Sequence, residues 1–157
     1  MIKFKEFSFG ATSAIITSVA VIIGLSKTVN AKINIISALL IIAIADNISD
    51  SFGIHMHQEC QRESAKEVNR ITIFNFISRL IIILIFIAVI LLIPMTFAVI
   101  FSVLFSAVIL IILSYYISKN QKTNPYKAIL QHLIIAIIVI IASFILREVI
   151  SYFIITV

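Results

Sequence analysis

Long stretches of this chain carry no charge, and the breaks between them set the expected architecture. Phe9 to Leu25, Ile33 to Ala45, Leu80 to Ser118, His132 to Leu146 and Val149 to Val157 are all uncharged. A bilayer core of about 30 Å takes roughly 20 helical residues. The 39 residues from Leu80 to Ser118 would make a helix of about 58 Å, too long for one span. That stretch must turn near its middle, where Pro94 is the strong helix breaker. Extended back to Ile71, it holds two spans. The uncharged run ending at Ala45 keeps a helical pattern through Asp46 to His57. The pattern therefore predicts five transmembrane helices, at about 8–26, 33–57, 71–93, 96–118 and 128–150, in a single domain over residues 1–157. The fold class is all-α, an integral membrane protein.

Composition strengthens that reading. Hydrophobic residues make up 62% and charged residues 12% of the 157, against roughly 45–50% and about 25% in soluble domains. A soluble globular domain and a disordered chain are both excluded. The single Cys60 cannot form an intrachain disulfide, and no metal-binding spacing surrounds it. Met1 to Phe7 is basic, but no small-residue cleavage site with a soluble domain follows, so it does not read as a removed signal. The net charge of +5 sits between apolar runs, which points to a membrane and not to nucleic acid.

The same charges give an orientation. With the N-terminus cytoplasmic, eight basic residues are inside: Lys3, Lys5, Arg62, Lys66, Arg70, Lys119, Lys122 and Lys127. Only two, Lys27 and Lys32, are outside. Arg79 and Arg147 fall within or at the ends of spans. The positive-inside rule then places the N-terminus in the cytoplasm and the C-terminus outside, in the inner membrane if the cell is prokaryotic.

The second span holds the candidate chemistry. Asp46, Asp50, Gly53 and His57 fall within about 60° of one another around a regular helix, forming one stripe. Asp50 lies about 12 Å and Asp46 about 18 Å from Gln58, which puts Asp46 near mid-bilayer. An ionised Asp there costs at least about 2.5–3.5 kcal/mol. Two on one face, with no basic residue in the span, call for a cation, a proton or a partner. Carboxylates with an imidazole at the mouth suit Mn²⁺, Fe²⁺ or protons better than soft Cu(I). The alternative is a structural seam hydrogen-bonded to Ser or Thr of a neighbouring helix. Glu59, Glu63 and Glu67 would form a second acidic row, away from the aspartates, if the helix continued. Arg62, Lys66 and Arg70 largely cancel that row, and a solvated helix end accounts for it. In the first span Ser13, Thr17, Ala20 and Gly24 form a small-residue face, a candidate helix–helix seam. His132 reads as interfacial. Arg147 and Glu148, being adjacent, are not expected to face each other. With no nucleophile–base pair, nucleotide loop or zinc signature, an enzyme is not expected.

Two segments resemble the vacuolar iron transporter family. Phe9-Gly10-Ala11-Thr12-Ser13-Ala14-Ile15 is similar to the family's F-G-A-x-D-G-[IL] opening, and an apolar run ending in Gly24-Leu25 follows. Asn47 to His55 resembles its A-[IL]-S-M-x-x-G-E-Y stretch, and Pro94 and the basic segment before the last span are similarly placed. The resemblance implies a five-helix protomer, a homodimer with its pathway at the interface, and proton-coupled export of Fe²⁺ or Mn²⁺, with no further cofactor. Ser13-Ala14 stands where the family has Asp-Gly, Asp50 where it has Met, and Ile54-His55 where it has Glu-Tyr. The family's long glutamate-rich cytoplasmic helical domain is reduced here to Gln58–Arg70. The expected metal-handling residues are Asp46, Asp50 and His57, with Ser13, His55, Glu59 and Glu63 as weaker candidates. The competing expectation is a non-transporting membrane protein that keeps the dimeric fold without the first-helix ligand.

Overall fold

The computed structural model describes the backbone of residues 2–155 and the side chains of residues 10–152. The Lys3 and Lys5 side chains, and the Met1 and Val157 ends used for orientation, lie outside the described residues. Five helices follow one another: α1 (Ile2–Leu25), α2 (Ala31–Cys60), α3 (Ala65–Leu92), α4 (Met95–Gln121) and α5 (Pro125–Ile155). Four of them, α2 to α5, are long and apolar enough to cross a membrane, and α1 contributes the shorter apolar stretch Gly10–Leu25. Large apolar side chains such as Ile41, Phe52, Leu104 and Ile138 point outwards, as suits a protein embedded in lipid.

Local chemistry sets the breaks. Ser64 caps α3 by accepting a hydrogen bond from the Glu67 N–H, in a Ser-x-x-Glu arrangement. Pro94 stands between α3 and α4, as the sequence predicts. Asn124 caps α5, accepting from the N–H groups of Tyr126 and Lys127, with Pro125 at the first helical position. Lys122 adopts a left-handed conformation (φ 55°) at the end of α4, and the Thr123 N–H reaches back to the Ser118 carbonyl.

The helix at α2 ends at Cys60, and Arg62 is left-handed (φ 59°). The continuous glutamate row is therefore broken. Glu59 ends α2, Glu63 lies in the turn, and Glu67 opens α3. The condition for that row, a helix continuing past Gln58 to Arg70, is not met, in keeping with the reading of these residues as a helix end.

Helix α1 is the centre of the assembly and packs against all four others. Ala11, Ala14, Ile15, Ser18, Val19, Ile22 and Ile23 of α1 are buried, a stripe at helical spacing in which small residues allow close approach. At Gly10 α1 and α3 come close. A Cβ there would sit 2.8 Å from the Asn75 backbone oxygen and 2.6 Å from its Oδ1, so only glycine lets α1 meet α3. Two buried serines on α4 bond back into the helix: Ser106 donates to the Ser102 carbonyl and Ser114 to that of Leu110.

Candidate functional site

The centre of the molecule holds a charged group contributed by three helices. Arg79, midway along α3, is 1% exposed. Its Nη1 donates to Ser13 Oγ of α1 at 2.6 Å and lies 3.2 Å from Asp50 Oδ2. Its Nη2 pairs with Asp46 Oδ2. Both aspartates are thus held by one guanidinium, with Asp46 half-exposed and Asp50 less so. A charge this deep is retained only with partners, and these are its partners.

The backbone of α2 is adapted to this arrangement. Residues Ile42–Asp46 form a π-helical turn that ends on Asp46. Such wider turns inside an α-helix shift the register of the face beyond them and recur at functional sites. Just beyond, Asn47 Nδ2 donates to the Phe76 carbonyl at 3.0 Å, tying α2 to α3. Asn75, one turn before Arg79, donates from Nδ2 to Asp50 Oδ2 at 3.1 Å and to Ser51 Oγ at 3.2 Å. Its Oδ1 is buried without a hydrogen-bond partner, as is Arg79 Nε.

A cleft with many polar side chains in its lining leads to this group from the end carrying the 61–64 and 122–124 turns. Its described lining includes Ser13, Asp50, Gly53, His57, Asn75 and His132. Polar contacts link the helices at the opposite end. Lys27 pairs with Glu148 at 2.9 Å, Arg147 donates to Ser26 Oγ at 3.2 Å, and Lys32 donates to the Leu91 carbonyl. Arg147 also reaches Glu148, at 2.8 Å. This corrects the expectation that adjacent residues do not meet, which ignored how far an Arg side chain folds back.

The structure brings Asp50, Gly53 and His57 together on the cleft, with Ser13 at its floor. Asp46 joins them through Arg79. Glu63 and Glu67 line the same cleft, and so are not set apart from the aspartates as the sequence suggested. Helix α3 turns back on α2 and carries them there. His55 lies on another face, bonded to Thr72 at 3.2 Å and 3.4 Å from Glu59. His132 bonds to Ser114 at 2.7 Å. Among the described residues, no three His, Cys, Asp or Glu side chains converge closely enough to hold a metal ion.

Sequence reasoning missed Arg79 and Asn75. The signal for Arg79 was present, since it is the only ionisable residue between Ile71 and Leu92. Counting uncharged runs made it a boundary, whereas the helix begins at Ala65 and passes it at midpoint. The aspartates were found wanting a basic partner because only their own helix was searched. No protein-family model matches the chain, and no curated protein or solved structure matches it.

Proposed function

We propose that this protein is a homodimeric membrane transporter that exports a divalent metal, Fe²⁺ or Mn²⁺, from the cytoplasm in exchange for protons. The observation that carries the reading is the acidic pair midway along α2, with Asp50 at the floor of a cleft reached from one end. Two carboxylates against one guanidinium leave a net charge of −1 at the pair. A bound proton or an arriving cation supplies the missing charge, which links the two movements at one site. His57, nearer the mouth, serves entry. The likeness of α1 and α2 to the vacuolar iron transporter family supports the choice of metal. A second reading is favoured by the absence of a three-ligand cluster among the described residues. In it the ion group is a structural lock in a non-transporting membrane dimer. Reconstituted into liposomes, the full chain should release protons when Mn²⁺ or Fe²⁺ is added. Silence to both metals favours the lock.

The proposed topology is five spans with the cleft end cytoplasmic. Cysteine placed at Gln121 should react with an impermeant thiol reagent only from the cytoplasmic side, and cysteine at Val29 only from outside, in a background lacking Cys60. Labelling of both from one side contradicts the topology.

For the dimer, the proposed seam is the α1 face Ser13-Thr17-Ala20-Gly24. These residues keep part of their surface uncovered in the protomer, where Ser13 is also bonded to Arg79, and a Cβ on Gly24 would meet nothing within 4 Å. Small faces of this kind join membrane helices. Ala20→Leu or Gly24→Leu should shift the detergent-solubilised protein from dimer to monomer in light scattering. An unchanged dimer, or a monomeric wild type, places the seam elsewhere.

A further inference from the structure

We infer that Arg79 is a tethered stand-in for the transported ion, occupying the carboxylates of the empty protein and restricting the site to divalent cations. The inference rests on the reading of Asp46 and Asp50 as the cation-exchange site and names the residue that sets its selectivity. The guanidinium lies where a bound cation would lie, between Asp46 Oδ2 and Asp50 Oδ2. It is docked there incompletely. Nη1 and Nη2 are engaged, but the buried Nε has no partner, although a buried guanidinium normally uses its donors fully.

Oxygen atoms remain around it for an ion to use. Asn75 is 1% exposed, donates to Asp50 through Nδ2, and has a buried Oδ1 without a hydrogen-bond partner that packs against Gly10 of α1. Ser13 Oγ and the two carboxylates complete a set of oxygen donors, which suits a hard divalent ion. Of the aspartate pair, Asp50 is the one that lines the cleft, while Arg79 is sealed behind it.

Charge decides the competition. A monovalent cation taking the place of Arg79 offers the pair no more charge than Arg79 already gives and must lose its own water to do so. A divalent ion brings twice the charge to the same oxygens, and that gain is set against the cost of leaving the buried Arg79 charge without its partners. The empty protein keeps its carboxylates compensated, so it can reset without carrying two bare charges through the membrane.

The test is Mn²⁺ binding to detergent-solubilised full chain, followed by calorimetry in the presence and absence of Na⁺. Arg79→Gln should bind Mn²⁺ at least about tenfold more tightly than wild type, because the internal competitor is gone. Na⁺ should then compete, as it does not in wild type. Arg79→Lys should bind as weakly as wild type, and Arg79→Gln/Asp46→Asn/Asp50→Asn should not bind. If Arg79→Gln folds only when Mn²⁺ is present, the ion has replaced the guanidinium and the inference holds. Equal or weaker binding in Arg79→Gln overturns it. So does an Arg79→Gln protein that Mn²⁺ fails to rescue while the triple variant folds, since Arg79 is then only a counter-ion. Tighter binding in Arg79→Gln from a wild type that moves no metal would sink the transport reading and leave Arg79 only as the internal competitor of a metal site that does not transport.

Discussion

Arg79→Leu should lower the stability of the protein by about 3 kcal/mol, the low end of the range for breaking a buried ion pair. The substitution leaves two carboxylates facing each other across a buried apolar side chain. The low end applies because Asp46 keeps half of its side chain exposed and can draw on whatever bathes that face. Asn75 still donates to Asp50, which softens the loss further. The loss should vanish when the charges go together. Replacing all three ionic residues by Leu removes the desolvated charges at once, and such replacements are often neutral or stabilising. Thermal unfolding in detergent separates the two variants. A single Arg79→Leu as stable as wild type would show that the guanidinium does not hold α2, α1 and α3 together.

Asp46→Asn and Asp50→Asn should each abolish metal-dependent proton release in liposomes while leaving the protein folded. Asn keeps the size and can still accept a hydrogen bond from Arg79, but it offers no charge to exchange. Each variant pairs one carboxylate with one guanidinium, a neutral group that calls for neither proton nor metal. His57→Ala should only slow entry, since His57 lies two turns nearer the mouth and outside the ion group. A structural lock gives a different pattern: both Asn variants and wild type behave alike, with no metal-dependent signal in any of them.

The helical layout was legible because each span is written along one continuous segment. The turn at Pro94 follows from the sequence, and of the expected stripe on α2 Asp50, Gly53 and His57 share one lining, whereas Asp46 at the end of the π-helical turn does not line it. What was not legible depends on contacts between helices. Arg79 meets Asp46 across 33 residues of sequence and Ser13 across 66, and no periodicity within one helix reports either meeting. The π-helical turn at Ile42–Asp46 is likewise invisible in IAIAD, whose apolar residues fit a regular helix equally well. Gly10 shows the same limit. Its sequence position gives no sign that the Asn75 backbone lies within reach. The glutamate row depended on a helix continuing past Gln58, and the chain instead turns at Arg62 and caps α3 at Ser64.

The central claim is that the acidic pair exchanges a divalent metal for protons, and the most direct measurement is Mn²⁺ movement into liposomes under an imposed pH gradient. With protein oriented at random, wild type should take up Mn²⁺ when the lumen is acidic, release protons as it does so, and slow when the gradient is reversed. Asp46→Asn should be silent under both gradients. Wild-type protein that moves neither Mn²⁺ nor Fe²⁺ under a gradient of either sign, while remaining folded and dimeric, would contradict the account and leave the Arg79–Asp46–Asp50 group as a lock.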